Sequence, residues 1–405
     1  MIKLLITNPS MKVGGVETAL LYLLNNLDYT KYSVDLLLIE GGELLESIPK
    51  EVKVIYYHDY MLMPNKFLVG LKKNILVQSL YDTQRFAFKK RYDISIAFNG
   101  FNNYTDMVAA SVKSKKKIIW VHNDFKEALK YKKAKFFYKF MWHFMSNKYK
   151  YFDNIVCVSN SVKDNFNSYF KGFKKKTLVI GNMVDGDFIR KQAKKKTTIK
   201  LDKSYNIVAI GRLIKSKQFD KIIKLTKELK NKKMDVKTYI IGDGKEFYSL
   251  SRKIRSLRLT DSVIMLGAME NPYNILTQAD LLISMSLHEA FGNILLESMI
   301  LDVPFLSNIN SGSKDISKNI MPMNAGIICK NEDMLIQVLK MMRKYRKPIS
   351  FNDKEYNKNI KKQINELFSI PEEVKEDKKD IKKSDDKKDT KSKTKKEDKV
   401  KEKKS

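Results

Sequence analysis

Short apolar runs alternate with helix-patterned segments over the first 370 residues, and this alternation restricts the chain to few architectures. The runs form two series. The first series comprises residues 2–7, 33–40, 52–57, 93–98, 117–122, 154–159 and 177–182. The second series comprises residues 205–212, 237–244, 262–267, 280–286, 303–308 and 325–330. Strands that alternate with helices predict parallel sheets covered by helices on both faces.

Two such series predict an α/β chain with two doubly wound, Rossmann-like domains that face each other across a cleft. We expect an N-terminal domain over 1–184, a C-terminal domain over 185–350, and a helix over 351–370 that packs back toward the N-terminal domain. Ligands of open parallel sheets bind at the carboxyl ends of the strands, so the cleft is the expected site. Residues 371–405 have almost no apolar side chains and are expected to be disordered.

The formal net charge is +32, and most of the excess lies outside this tail. Residues 1–196 hold 34 Lys/Arg against 17 Asp/Glu, and residues 197–370 hold 29 against 18. A field of this sign attracts phosphates, anionic membranes or nucleic acid, although a lysine-rich proteome would give the same composition. Residues 70–93 and 126–152 mix lysines with aromatics, which indicates either core-facing helices with a basic outer face or interfacial helices on anionic lipid.

The two cysteines, Cys157 and Cys329, both lie in apolar runs, which argues against a disulfide framework or a zinc site. No stretch reaches the roughly 18–20 apolar residues of a transmembrane helix. The N-terminal segment MIKLLITNPS is too short and too quickly polar for a signal peptide. We therefore expect a cytoplasmic protein.

In each series, one motif follows the first strand. Gly14 and Gly15 in GGVE either let the backbone approach an anion at the next helix N-terminus or form only a tight turn. GRLIKSK contains Gly211, Arg212 and Lys217, whose two cations either neutralise a diphosphate or are ordinary solvated charges. GGVE is neither a dinucleotide fingerprint nor a P-loop.

A third motif, HEAFGNILLESM, carries two carboxylates around one glycine. We expect Asn293 to cap a helix, which places Glu289 in the preceding loop and Glu297 about one turn into that helix. With Gly292 allowing close backbone approach, this arrangement suits a ligand with hydroxyls at both ends and negative charge between them. Alternatively, Glu297 is only a first-turn glutamate favoured by the helix dipole.

His122 ends an apolar strand of the first series and is therefore expected to face the cleft rather than the core. The chain has four histidines, and their spacing does not resemble that of a metal site.

In their order along the chain, these motifs resemble those of the retaining glycosyltransferases of family 4, which have the GT-B fold. GGVE is similar to the family's GG-x-E turn, GRLIKSK to its GR-x4-K, and Glu289 to Glu297 to its E-x7-E. Further similar segments are VSNSVKDNF (158–166), VIGNMVD (179–185), IIGDG (240–244) and QADLLISMSLHEAFGNILLESM (278–299). The resemblance covers residues 1–370.

The resemblance implies transfer of a sugar from a nucleotide donor with retention of configuration and without a divalent metal. Arg212 and Lys217 would hold the diphosphate as it leaves. Glu289 would bind hydroxyls of the sugar, Glu297 the ribose, and His122 would face the reacting carbon and the acceptor. Donor contacts are also implied for Gly14, Gly15, Gly211, Phe291, Gly292 and Asn293.

Several positions depart from the family's pattern and leave the identity of the sugar open. They are Met183, Gln218, Ala290 and the SGS at 311–313. The DGD at 185–187 resembles the D-x-D of metal-dependent sugar transferases, but no other ligand lies nearby, and we expect no metal or other cofactor.

We therefore predict a retaining, metal-independent hexosyltransferase that uses a UDP-sugar, or failing that a GDP-sugar, to build a capsule, another surface polysaccharide or a glycolipid. Its acceptor would be a lipid-linked sugar or a glycan, and the protein would be cytoplasmic or peripheral on the inner face of the plasma membrane. Two alternatives are a nucleotide-sugar 2-epimerase, which lacks this arrangement of motifs, and a non-catalytic protein that binds nucleic acid or another anionic polymer. Because the donor motifs are all retained, we expect no nucleic-acid partner.

Overall fold

The computed structural model describes residues 1–57, 90–100, 102–123, 147–322, 324–329, 335–344 and 348–370. The predicted disordered tail, 371–405, lies outside these residues. Most of the two segments that mix lysines with aromatics, 70–93 and 126–152, lies outside them as well.

The first half of the chain forms a parallel sheet with seven described strands. The strands are β1 (Ile2–Asn8), β2 (Tyr32–Leu38), β3 (Val52–Tyr56), β4 (Tyr92–Ala97), β5 (Ser114–Val121), β6 (Asn154–Cys157) and β7 (Thr177–Val179). Their order in the sheet is β3-β2-β1-β4-β5-β6-β7. The described α-helices of this half are α1 (Gly15–Asn26), α2 (Asn103–Ser111), α3 (Asn160–Tyr169) and α4 (Gly186–Ala193). We call this sheet, with α1 to α3, the first lobe.

The second half forms a parallel sheet with six described strands. They are β8 (Tyr205–Ile210), β9 (Val236–Ile241), β10 (Val263–Gly267), β11 (Leu281–Ser284), β12 (Phe305–Asn308) and β13 (Gly326–Cys329), in the order β10-β9-β8-β11-β12-β13. The helices are α5 (Phe219–Asn231), α6 (Phe247–Ser256), α7 (Tyr273–Leu276), α8 (Asn293–Ile300), α9 (Ser311–Asn319) and α10 (Leu335–Lys344). We call this sheet and these helices the second lobe. The prediction of two parallel α/β sheets is confirmed.

The strand order places a crevice at the carboxyl end of each lobe's first strand. β1 lies between β2 and β4, and β8 lies between β9 and β11, so the direction of winding reverses beside both strands. Leu4, Leu5 and Ile6 are fully buried, as expected of a parallel strand covered on both faces. GGVE and GRLIKSK follow β1 and β8 and therefore lie where such folds bind ligands.

The last described helix, α11 (Asp353–Phe368), packs along the segment that joins the lobes and against the first sheet. Tyr356 donates its hydroxyl hydrogen bond to the Asn182 carbonyl at 2.7 Å, and Asn357 pairs with both backbone groups of Val184. At the other end, the Phe368 ring contacts the Trp120 ring edge-on. None of the described helices has the length and hydropathy needed to cross a bilayer. The predicted domain limits stay a prediction.

Candidate active site

The glycine pair forms the turn between β1 and α1. Gly14 is the extended N-cap residue of α1, and the Glu17 side chain folds back over it. A Cβ at Gly14 would lie 2.4 Å from Glu17 Oε2, whereas a Cβ at Gly15 would meet no atom within 4 Å. The Glu17 side chain therefore explains why residue 14 is a glycine, whereas no side chain covers the α1 N-terminus at Gly15.

Glu17 faces Arg212 of the second lobe. Burial raises the pKa of Glu17, and the positive charge of Arg212 and a hydrogen bond from Asn8 oppose that rise. Arg212 is exposed, and its guanidinium makes no hydrogen bond or ion pair with any residue that the structure describes. Glu17 is not among the residues predicted from GGVE, which were its two glycines, although its place in the motif was a usable signal.

The predicted diphosphate-binding lysine pairs with the predicted sugar-binding glutamate. Lys217 ends a short 3₁₀ helix after β8, Glu289 lies in the loop after β11, and the Lys217 ammonium donates to Glu289 Oε1. Their side chains are 21% and 19% exposed, so the pair is largely shielded from water. The two loops are also joined by a hydrogen bond from Leu287 N to Ser216 O of 2.8 Å. The structure therefore brings these two residues together.

Gln218, a departure from the family's pattern, has an unusual backbone conformation. Its φ of 52° lies in the left-handed region that glycine enters freely. Gly211, at the start of the same motif, also has a positive φ, 152°. The loop therefore keeps a backbone shape that favours glycine, although a side chain stands at its second special position.

Helix α8 begins one residue earlier than predicted, because Gly292, with a φ of 94°, is its N-cap residue and Asn293 is its first residue. The prediction that Asn293 caps this helix is wrong. Its side chain is used between the lobes: Nδ2 donates to the Gly15 carbonyl at 3.0 Å, and Oδ1 accepts from Asn182 Nδ2 at 2.9 Å. Phe291, just before the cap, is buried. The α8 N-terminus thus lies against the glycine turn of α1.

Glu297 is buried, 6% exposed, inside α8. Its Oε1 accepts a 3.2 Å hydrogen bond from the Tyr22 hydroxyl, which lies 2.8 Å from the Tyr273 hydroxyl. Burial raises the pKa of Glu297 to about 7, and hydrogen bonds from both tyrosines oppose that rise. Sequence reasoning missed both tyrosines, because Tyr22 lies in an apolar run that reads as core.

His122 lies just after β5 and is 7% exposed. Its ring centroid is 4.6 Å from that of Phe98, and its Nε2 is buried without a hydrogen-bond partner among the described residues. Burial lowers the pKa of His122 to about 3, so the imidazole is neutral near pH 7. Near pH 7, His122 therefore cannot act as an imidazolium acid. Its predicted place opposite the reacting carbon stays a prediction.

A second set of contacts joins the lobes at the start of α3. Ser159 donates to the Ala290 carbonyl at 2.7 Å, beside the first glutamate of E-x7-E. Asp315 of α9 is buried and accepts from the Asn160 backbone N–H and the Ser161 hydroxyl. A carboxylate at a helix N-terminus is favoured by the helix dipole, so Asp315 acts as a cap supplied by the other lobe.

We expect Asp315→Asn to lower the free energy of unfolding by about 1 kcal/mol, because the amide keeps the shape but loses the charge that favours the α3 N-terminus. Urea titration at neutral pH measures this. Ser161→Ala, which removes only the 3.2 Å hydroxyl contact, is the control and should cost less. Equal unfolding midpoints for Asp315→Asn and the wild type would contradict the interlobe cap.

The DGD sequence has structural partners. Asp185 caps α4 by accepting from Phe188 N at 2.9 Å and also accepts from Asn25 Nδ2 at 2.8 Å. Asp187 pairs with Arg190 at 3.0 Å. Within the described ranges, no three His, Cys, Asp or Glu residues are grouped as a metal site requires. The metal-free chemistry stays a prediction.

Family comparisons match nearly all of the chain outside its tail. Residues 13–188 match glycosyltransferase family 4, and residues 190–363 match the glycosyl transferases group 1. The border between the two matches, at 188–190, falls within α4.

Individual proteins give the same picture. An uncharacterized glycosyltransferase of Methanocaldococcus jannaschii is 29% identical over 49% of this chain, which spans 50% of that relative's length. The N-acetylgalactosamine-N,N'-diacetylbacillosaminyl-diphospho-undecaprenol 4-alpha-N-acetylgalactosaminyltransferase of Campylobacter jejuni is 26% identical over 82% of this chain and 88% of its own. Anabaena HepE, solved with UDP and glucose, has a TM-score of 0.68 at 18% identity and covers 91% of this chain and 100% of its own.

Proposed function

The chain belongs to the glycosyltransferases of the family 4 type, with the GT-B fold, and on that premise we propose that it transfers a sugar from a nucleotide-sugar donor with retention of configuration. The observation that carries this proposal is the Lys217–Glu289 pair. Arg212 precedes Lys217 in the same loop after β8, and its exposed guanidinium makes no hydrogen bond or ion pair with any described residue. Two cations and a carboxylate at the carboxyl ends of β8 and β11 match a sugar joined to a diphosphate.

Each part of the donor has a proposed partner. The diphosphate lies between Arg212, Lys217 and the α1 N-terminus at Gly15, where partial positive charge favours an anion. Glu289 accepts hydrogen bonds from sugar hydroxyls, and Glu297 accepts them from the ribose. The backbone at Gly211, Phe291 and Gly292 completes the contact surface. Asn293 reaches the donor only by leaving its interlobe hydrogen bonds.

The proposed reaction is a displacement on one face of the sugar. The bond from the anomeric carbon to the leaving phosphate oxygen breaks, and a bond to the acceptor oxygen forms on the same side. The acceptor's proton passes to the leaving phosphate, so neither glutamate acts as a nucleophile. Arg212 and Lys217 stabilise the charge that develops on the phosphate, which is the part a divalent metal plays in other transferases.

We propose a UDP-sugar as the donor, on the support that HepE was solved with UDP and glucose. A lipid-linked or glycan acceptor is supported by the Campylobacter relative, whose name describes transfer to a sugar on diphospho-undecaprenol. The basic first half of the chain supports peripheral binding to an anionic membrane on the inner face of the cell. There the enzyme would act in capsule, polysaccharide or glycolipid synthesis.

Thermal shift with a panel of nucleotides tests the donor site. UDP and one or more UDP-sugars are expected to raise Tm by a few degrees, since ligand at about 100 times Kd adds about 2.7 kcal/mol to stability. Arg212→Ala should abolish most of that shift, and Lys215→Ala, an exposed neighbour without a predicted contact, should keep it. A chain stabilised by single-stranded nucleic acid and by no nucleotide would instead support the polymer-binding alternative.

A further inference from the structure

A groove of about 660 Å³ lies away from the proposed donor site. It is bounded by Asn26 at the end of α1, by the start of α4 at Asp185 to Asp187, and by one face of α11. Helix α1 has 12 residues and therefore spans about 18 Å from the glycine turn to this groove. None of the residues proposed to hold the donor lines it.

One wall of the groove is a row of lysines on α11. Their spacing places them on one side of the helix, because residues three, four and eight apart share a face. They are Lys354, Lys358, Lys361 and Lys362, and all four are exposed. Like charges four residues apart destabilise a helix by a few tenths of a kcal/mol, so the row lowers the stability of α11 on its own.

These ammonium groups are largely uncommitted. Lys358 approaches Glu355 at 3.8 Å with both side chains well exposed, an arrangement that contributes little. Lys361 and Lys362 form no hydrogen bond or ion pair with any residue in the described ranges. The groove therefore offers at least two cations whose hydrogen-bonding groups are free for a ligand.

Three carboxylates that line the groove already have partners: those of Asp185 and Asp187 at the start of α4, and that of Asp353 at the start of α11. Both oxygens of Asp185 accept hydrogen bonds, from Phe188 N and Asn25. Both oxygens of Asp353 accept from the Arg190 guanidinium at 3.2 Å, and Asp187 shares the same arginine. These three carboxylates are engaged by protein groups, and the fourth carboxylate of the lining, Glu366 on α11, is not free either. Lys361 and Lys362 therefore remain as the groove's cations without a partner among the described residues.

We propose that this groove binds a phosphorylated polyol, with Lys358, Lys361 and Lys362 on the phosphate and the amides of Asn26 and Asn365 on the hydroxyls. Lysine ammonium groups suit a phosphate as mobile point charges, and amides both donate to and accept from hydroxyls. The cavity volume is in the range of small-ligand sites. A soluble sugar phosphate and the headgroup of an anionic lipid share this chemistry. The proposal does not depend on the donor site.

Calorimetry with glycerol 3-phosphate on the full chain tests the groove. Lys361→Gln with Lys362→Gln is expected to weaken binding about tenfold or more, the effect of losing two charge-assisted contacts. The matched control is Lys224→Gln with Lys230→Gln, two exposed lysines on α5 in the second lobe. Both double variants should keep the melting temperature and the UDP-induced thermal shift of the wild type.

Vesicles distinguish the two sources of the phosphate. Binding to phosphatidylglycerol in phosphatidylcholine, lost in the α11 variant and kept in the α5 variant, assigns the groove to a lipid headgroup. Binding of glycerol 3-phosphate with no such difference on vesicles assigns it to a soluble ligand. The proposal is overturned if the wild type binds neither probe, or if the two double variants lose binding equally.

Discussion

Replacing Arg212 by alanine is expected to lower kcat for sugar transfer by about two to three orders of magnitude, the usual effect of removing a donor that stabilises transition-state charge. Arg212 suits this test because its guanidinium is exposed and has no hydrogen-bonding partner among the described residues, so the variant should fold. Release of nucleoside diphosphate from the UDP-sugar selected by thermal shift measures the rate.

Two matched variants define what the arginine supplies. Arg212→Lys keeps the charge but loses the planar fork that pairs with phosphate, and we expect an intermediate loss, about tenfold. Lys215→Ala removes an exposed cation from the same loop and should leave the rate within about twofold. If Arg212→Ala retained turnover within about threefold of the wild type, the phosphate assignment would be wrong.

The second large effect expected concerns Glu297 and pH. Its folded-state pKa of about 7 lies above the ordinary value of 4.5, so the folded chain holds a proton that the unfolded chain releases between these values. The stability from Glu297 is therefore complete below about pH 4.5 and is lost as pH rises through about 7. The shift corresponds to about 3 kcal/mol, most of it between about pH 5 and pH 8.

Urea unfolding of the wild type and of Glu297→Gln across this range isolates the effect. From pH 5 to pH 8, the unfolding free energy of the wild type should fall by about 2–3 kcal/mol relative to that of Glu297→Gln. Tyr22→Phe removes a hydroxyl that stabilises the carboxylate and should make the loss steeper. Parallel curves for the wild type and Glu297→Gln would show that Glu297 does not titrate in this way.

The fold could be predicted from the sequence because apolar runs report buried parallel strands directly. Each described strand overlaps a predicted run. The predicted ends of strands were less accurate where a strand continues through charged residues beyond its apolar part. The run at 117–122 predicts a strand from Lys117, yet β5 begins at Ser114, because the backbone of this lysine-rich stretch pairs with β4. Backbone pairing leaves no mark on side-chain polarity.

The site could be predicted in part. The rule that ligands bind at strand carboxyl ends places Lys217 near Glu289, because β8 and β11 are neighbours in the sheet. Contacts between the lobes could not be predicted, since they depend on residues far apart in sequence. Asn293 reads locally as a helix cap, and Tyr22 reads as one more apolar residue of α1, whereas each reaches across to the other lobe.

The hydrogen bonds of α8 to the first lobe also set a limit on ligand affinity. A ribose bound to Glu297 as proposed takes over an acceptor that Tyr22 now uses, and Asn293 reaches a donor only by leaving its contact with the Gly15 carbonyl. Donor binding then exchanges interlobe hydrogen bonds for donor contacts, and the measured binding free energy is the difference between the two sets. A substitution that weakens the interlobe hydrogen bonds without touching the donor contacts would raise the affinity for the donor. Affinity for the nucleotide would then depend on positions that the nucleotide does not contact.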